Sequence, residues 1–354
     1  MKRLLPLMMV LGMLGPPALA QSFYLSPDVP TNLGGTNYMP WEVVRNDSGA
    51  YTLKLSLPPN TPVNGLHQMC RGYWLLTVEA PTTLGGTTFD PRDVIRYDPV
   101  GGTYVYFLNG AAAGVPAGSS VDAAFLPGDD SSPLILSFDV PTTIGGTTYE
   151  PADLVRYSGG VFALFFDASA ATPPVPLAND VTGADRRGGR TVISFDVPTT
   201  LGAPTFLPGQ LVWWDGLAFG TFYADPTWPA GSVVGDFSFL PDPGRVPPLS
   251  LRVDKSLLVA GNLTLSWGAA LSAGAEDYGI YEGILGTWYS HTAIDCNDAG
   301  GDRTEDVTPG NGNRYYLVVP FNPNDEGSYG TNSAGVERPQ GTSPCRLTQA
   351  LNCP

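Results

Sequence analysis

Charge is scarce in this chain. Asp, Glu, Lys and Arg together make up 14% of its 354 residues, against about 25% in ordinary soluble domains. Basic residues are the scarcer sign, with 18 Lys and Arg against 33 Asp and Glu and a formal charge of −15. Such a surface repels phosphodiester backbones and anionic lipid, so neither nucleic acid nor membrane is an expected partner. Histidine is rarer still: only His67 and His291 occur, in different regions and without a Ser or Cys signature nearby, which argues against a Ser-His or Cys-His nucleophile. No G-x-S-x-G, no H-E-x-x-H and no phosphate-binding Gly loop followed by Lys is present. Beyond residue 20 no apolar run reaches the ~20 residues that a membrane-spanning helix needs, and helical periodicity is missing throughout.

Cysteine is limited to four residues, Cys70, Cys296, Cys345 and Cys353, with no paired C-x-x-C spacing. In an exported chain that pattern favours disulfides over a metal site. Three complete pairings exist. Cys296 and Cys345 flank the last strands of the C-terminal region, which favours that bridge, with Cys70 to Cys353 fastening the tail to the rest. The rival is a local Cys345 to Cys353 loop.

Gly and Pro are what the chain has in excess, at 43 and 35 residues or about 22% of the total, where about 12% is usual. Such density can signal disorder, but 43% hydrophobic residues with regular aromatic spacing supply enough apolar surface for a core. The N-terminus reads as a secretory signal peptide over residues 1–20: Lys2 and Arg3, an apolar core from Leu4 to Leu14, and Ala18-Leu19-Ala20 as the cleavage pattern. Export is therefore expected, with a mature chain from about Gln21, secreted, periplasmic or at the cell surface.

Four copies of one motif follow. Counted from Asp28, Glu79, Asp139 and Asp196, they align without a gap: a small apolar residue, Pro, Thr, then an aromatic ten residues after the acid (Tyr38, Phe89, Tyr149, Phe206), Pro two further on, and a β-rich run. The runs are EVVRN from Glu42, DVIRY from Asp93, DLVRY from Asp153 and QLVWW from Gln210. Each copy reads as about four short strands between Gly/Pro turns, the size of a propeller blade. Residues 21–247 are thus expected to be a four-repeat β-propeller-like array, closed when Val233 to Leu240 meets Phe23 to Ser26. A row or pair of small sandwiches is the other architecture open. Whether each fourth strand completes its own blade or starts the next is also open at this point.

These repeats resemble the aspartate-rich "DLVRY … LFFD" β-repeats of exported bacterial proteins over Phe23 to about Leu240, and the resemblance implies no particular activity. After the Pro-rich seam Pro241 to Pro248 the vocabulary changes. Leu263 to Trp267, Asp277 to Gly283 and Arg314 to Phe321 read as strands, and residues 248–341 resemble a fibronectin type III domain, an immunoglobulin-like β-sandwich. That likeness implies spacing or binding. Residues 342–354 form a tail. The fold class expected is all-β.

For chemistry the acids remain. Asp28, Glu79, Asp139 and Asp196 recur at strand ends, where oxygen-rich turns could hold Ca²⁺, the one cofactor the pattern admits; capping of each turn by backbone N–H groups is favoured over it. Copies one to three carry an acid three residues before an Arg (Glu42 and Arg45, Asp93 and Arg96, Asp153 and Arg156), and copy four loses both as Gln210 and Trp213. Joint loss suggests an interacting pair. Trp213 and Trp228 give the fourth copy aromatic surface absent from the others, a candidate patch for a glycan or protein ligand, unless both rings fill the seam against the C-terminal domain. The expected function is an exported, non-catalytic binding or surface-interaction protein; the alternative is a carbohydrate-active hydrolase using carboxylates of the repeats.

Overall fold

The computed structural model describes residues 21–298 and 302–354, so the signal-peptide reading lies outside the described residues. The chain is all-β. Its repeats build four four-stranded antiparallel sheets, each with a strand order that follows from the motif. From the inside outward the first sheet is Val234–Phe239, Ser22–Pro27, Glu42–Asp47 and Ala50–Ser56. The second is Val63–Gln68, Trp74–Val78, Val94–Asp98 and Thr103–Leu108. Val121–Phe125, Leu134–Phe138, Leu154–Ser158 and Val161–Phe166 form the third, and Val181–Arg187, Arg190–Phe195, Gln210–Trp214 and Phe219–Ala224 the fourth.

The phase of the repeat is thereby settled. The last strand of each copy starts the next sheet as its innermost strand, so the strand beginning at Val121 belongs with the third copy and not the second. The last of these, Val234–Phe239, returns to pair with Ser22–Pro27, setting Phe23 opposite Phe239 and Leu25 opposite Phe237. The first and last strands of the repeat region meet in one sheet.

Burial explains why the strands read as they do. Trp74–Val78 and Leu134–Phe138 are buried at every position, because second strands have neighbouring sheets on both faces and need apolar runs. Outer strands such as Val161–Phe166 expose most of their positions. Four hydrophobic clusters occupy the four seams: Tyr24, Val43, Leu66 and Trp74 between sheets one and two, Leu75, Val94, Leu136 and Val155 between two and three, Ile135, Leu154, Ile193 and Val212 between three and four, and Val192, Leu211, Phe23 and Val44 between four and one. The fourth seam closes the ring, and each inner strand touches the next around a common axis.

Between the second and third strands of every sheet the Thr-rich segment makes a small hairpin. Thr82–Leu84 pairs with Thr87–Phe89, and Gly85 and Gly86 sit at φ of 58° and 85°, which only a two-glycine turn of the primed type accommodates without strain. Copy four has Gly202-Ala203-Pro204 instead, and its hairpin shrinks to Thr199–Thr200 against Thr205–Phe206.

The C-terminal region forms two three-stranded sheets. Arg252–Lys255, Leu263–Ser266 and Thr304–Val307 make one, while Thr292–Asp295, Asp277–Ile284 and Arg314–Phe321 make the other. Trp267 meets Tyr278 edge-on at 5.5 Å within a core of Leu265, Ile280, Val307 and Val318. Beyond Phe321 the chain runs without a further strand, held by Glu326. This fully buried carboxylate accepts from Tyr281 Oη, Tyr329 Oη (2.6 Å), Gln340 Nε2 (2.9 Å) and the Cys345 N–H (2.7 Å).

Candidate functional site

Three of the four recurring acids turn out to be caps. Asp28 Oδ1 accepts the Val233 N–H at 2.8 Å, Asp139 Oδ1 that of Ser120 at 2.6 Å, and Asp196 Oδ1 that of Asp180 at 2.9 Å. Each of these three acids at the end of a second strand thus binds the residue just before the inner strand of its own sheet. In the second sheet that residue is Pro62, which has no N–H to give, and this copy carries Glu79. No group of three or more metal-ligating side chains occurs among the described residues. The arrangement explains the repetition of Asp28, Asp139 and Asp196 without Ca²⁺.

The acid–arginine pairing is a correction. Asp153 is buried and accepts the Glu150 N–H and the Ala168 N–H, both at 2.9 Å, while Arg156 is exposed and makes no ion pair among the described residues. Asp93 does the same with Asp90 and Gly110, and Glu42 accepts the Met39 N–H. Gln210 accepts the Leu207 N–H at 3.0 Å, so the position needs an acceptor oxygen and not a charge. The loss of acid and Arg together in copy four is not a broken pair. Arg45 does form an ion pair, but across to Glu276 of the C-terminal region at 2.5 Å.

Trp213 and Trp228 are half-buried against the cluster between the fourth and first sheets, not against the C-terminal domain. A Cβ on Gly220 would stand 2.3 Å from the Trp213 ring, and one on Gly209 would stand 2.1 Å from Trp228. Each indole therefore fills the space that a glycine leaves. Arg190 covers Trp213 at 4.3 Å, and the Trp228 Nε1–H donates to the Ser232 carbonyl.

Along the ring axis, the free edge of every inner strand must find partners for its backbone, and side chains from neighbouring sheets supply them. Asp236, fully buried, accepts the Leu66 N–H; Ser238 Oγ accepts that of Gln68 at 3.0 Å; Asp185 accepts that of Phe239 at 2.8 Å. Asp122 and Asp180 meet between the third and fourth sheets. Burial, then the charge of Asp180, pushes the Asp122 carboxyl well above its ordinary range. Burial likewise pushes Asp180 up to about 7, with Asp196 and Asp139 adding to the rise. The Asp122 Oδ2 and Asp180 Oδ1 oxygens are buried without a donor among the described residues, an environment that disfavours ionisation of both carboxyls. Asp122 breaks the repeat symmetry: Asn64 and Thr182 occupy the equivalent positions, where each donates to a carbonyl of the next sheet.

One mouth of the axis is covered. The C-terminal tail lies across it, with Asn352 and Cys353 beside His67, Asp185 and Phe239. The disulfide Cys70–Cys353 ties that tail to the loop after the second sheet's inner strand, and Cys296–Cys345 closes the C-terminal region. Further links are Arg187 to Asp325 at 2.6 Å, Ala273 N–H to the Cys70 carbonyl at 2.7 Å, and Asn324 to both backbone groups of Ser22. His291 is wholly buried, bonded to Tyr315 Oη and the Pro339 carbonyl, and serves the core.

Beside this joint a cavity of about 600 Å³ opens between the ring and the C-terminal region. Arg71 and Asp130 enter it from the ring, Arg245 from the Pro-rich seam, Ser328 and Glu337 from the C-terminal region, and Asn352 from the tail. Its acids are engaged. Asp130 accepts the Cys70 and Arg71 N–H groups, and Glu337 accepts Ser328 Oγ and the Tyr329 N–H. Its cations differ: Arg71 pairs with Asp130 at 4.0 Å with a side chain 73% exposed, whereas Arg245 makes no side-chain hydrogen bond or ion pair among the described residues and its Nε is buried without a partner.

No family model matches this chain, and no curated protein does. Solved structures give distant likenesses. An extracellular domain assigned to a hybrid two-component system of B. thetaiotaomicron is 12% identical at a TM-score of 0.24, over 80% of this chain and 40% of that one. A protein of unknown function from Bacteroides caccae is 9% identical at 0.26, over 82% and 73%. Streptogramin B lyase is 12% identical at 0.23, over 80% and 68%. This chain spans less than half of the first. At such TM-scores the likenesses specify neither a family nor an activity.

Sequence reasoning missed the cavity because its walls come from positions as far apart as 71 and 354, and Arg71 and Arg245 belong to no motif. It also missed Trp288, which is 64% exposed and tilted against Tyr315 at 5.7 Å. The adjacent Tyr289 stands at a φ of 64°.

Proposed function

We propose that this chain is an exported, non-catalytic binding protein for glycans, in which a propeller-like ring and a fibronectin type III-like sandwich are joined to form one ligand site. The interdomain cavity carries the reading: it is large enough for a small saccharide, its walls mix polar and apolar surface, and the Arg245 guanidinium in it has no counter-ion among the described residues. Export is supported by the signal-like N-terminal sequence and by four cysteines that are all paired, as suits an oxidising compartment. Among the described residues no helix is long and apolar enough to cross a membrane. The type III-like reading is supported by connectivity, with the first, second and fifth strands in one sheet and the third, fourth and sixth in the other. The segment pinned by Glu326 then stands where a last edge strand would run.

A second reading, the carbohydrate hydrolase, is favoured by one observation. Asp122 and Asp180 form the unmatched acid pair that an active site in a symmetric ring would need. Asp122 is 5% exposed, which argues against substrate reaching it. The experiment that tests both is surface plasmon resonance of the mature chain over an immobilised glycan panel, run beside a reducing-end release assay on the same glycans. Saturable binding without release is expected. Release that disappears in Asp180→Asn would establish the hydrolase instead, and an absence of saturable binding across the panel would end the binding reading.

A further inference from the structure

We infer that the interdomain cavity selects acidic saccharides, short oligosaccharides carrying uronic-type carboxylates, with Arg245 as the anchor for the carboxylate and Arg71 as a second, mobile contact. The inference rests on the binding reading above and narrows it to one chemical class.

The argument starts from scarcity. In a chain with 18 basic residues, those at the other structural joints are already paired: Arg45 with Asp47 and Glu276, Arg187 with Asp325, Arg314 with Glu282. Arg245 lines a cavity of about 600 Å³ with a buried, unpartnered Nε. A guanidinium offers five donors in a planar fork that matches a carboxylate through two parallel bonds, and a buried donor left unsatisfied is costly. The buried Nε itself is out of a ligand's reach, so a ligand carboxylate would be met by the Arg245 Nη groups, which make no hydrogen bond among the described residues. Arg71, largely exposed and held only by a 4.0 Å ion pair with Asp130, can exchange that contact for the same group.

The remaining walls fit the rest of a sugar. Asp129, Asp130 and Glu337 line the cavity with carboxylates whose positions are fixed by bonds to Ser131 Oγ, the Cys70 N–H and Ser328 Oγ. A carboxylate has about four acceptor sites, so each keeps capacity for a ligand hydroxyl. Those same carboxylates would repel a polyanion lacking hydroxyl donors. Acidic groups for the ring hydroxyls and guanidiniums for the carboxylate make a set that one uronate residue satisfies at both ends, whereas a neutral sugar leaves Arg245 unanswered. The disulfide Cys70–Cys353 fixes Arg71 and Asn352, each next to one of its cysteines, in the cavity wall, so the site is assembled before a ligand arrives.

The test is isothermal titration of the full mature chain with digalacturonate, the neutral parent digalactose and inorganic sulfate. Digalacturonate is expected to bind at least tenfold more tightly than digalactose, and sulfate to bind weakly. Arg245→Gln should remove that preference, Arg245→Lys should restore part of it, and Arg71→Gln should weaken digalacturonate several-fold; matching thermal unfolding of each variant with the parent confirms the fold. Equal affinity for the acidic and neutral disaccharides, or digalacturonate binding unchanged in Arg245→Gln, overturns the inference while leaving a glycan-binding protein intact. Sulfate binding as tightly as digalacturonate overturns it too, by showing a plain anion site. Only the glycan panel bears on the wider reading, so the two failures are separable.

Discussion

Asp122→Asn should make this protein more stable, and chiefly above neutral pH. Asp122 lies where Asn64 and Thr182 stand in neighbouring sheets, and both of those are neutral donors to the next sheet. Burial raises the folded-state pKa of Asp122 and lifts that of Asp180 from 3.8 to about 7. A carboxyl whose pKa is raised on folding binds more protons folded than unfolded, so its stabilising contribution is complete below the unfolded value and is lost as pH rises through the folded one. The window for Asp180 runs from about pH 4 to about pH 7. At ~1.4 kcal/mol per pKa unit, a rise of about three units sets an upper figure on the order of 4 kcal/mol. Asn at 122 keeps the acceptor for Asn64 and gives Asp180 Oδ1 a permanent donor. We expect a gain of roughly 1–3 kcal/mol at pH 8 that shrinks by pH 5, with a flatter dependence of stability on pH between them. Urea denaturation of parent and variant at half-unit steps from pH 5 to 8 measures it. A parent that grows more stable from pH 5 to 8, or a variant that loses stability equally at both ends, would refute the reading that burial holds this acid pair back from ionising.

Other substitutions probe other joints. Asp153→Ala leaves the Glu150 and Ala168 N–H groups without an acceptor and should cost about 2–4 kcal/mol, whereas Arg156→Ala should stay within about 0.5 kcal/mol; a double-mutant cycle by denaturation should show no coupling, and a coupling above about 1 kcal/mol would revive the ion pair. Glu326→Ala strands several buried donors and should cost about 3–5 kcal/mol, read as loss of the near-ultraviolet circular dichroism of Tyr281 and Tyr329; a change under 1 kcal/mol would mean that the segment after Phe321 is held by other contacts. Replacing both Cys70 and Cys353 by Ser opens a loop spanning 283 residues, worth on the order of 5 kcal/mol of chain entropy, and calorimetry should then show the C-terminal region melting ahead of the ring. A single unshifted transition would contradict that.

The repeat was legible in the sequence because its causes are local. The Thr-Thr-x-Gly-Gly-Thr-Thr stretch requires residues that accept positive φ, each Pro sits in a turn closed by the side chain at Asp93, Asp153 or Gln210, and buried second strands need unbroken apolar runs. Those constraints act within ~20 residues, so four copies and an all-β class could be read directly. Phase could not, because Val121–Phe125 pairs equally well by pattern with either neighbour and the closed ring alone decides. The acid–Arg pairing failed for a related reason: a repeated acid records a repeated need for an acceptor, and only the positions of Ala168 and Glu150 show that the need is met by backbone. Tertiary structure also decided everything at the joint. Arg45 meets Glu276, Arg187 meets Asp325, and Arg71, Arg245 and Asn352 come to one cavity from parts of the chain that share no motif. Local stereochemistry writes the blades into the sequence. The cavity exists only because the ring closes and the tail folds back across its axis, and the unpaired Arg245 in it is set by that geometry and not by any spacing along the chain.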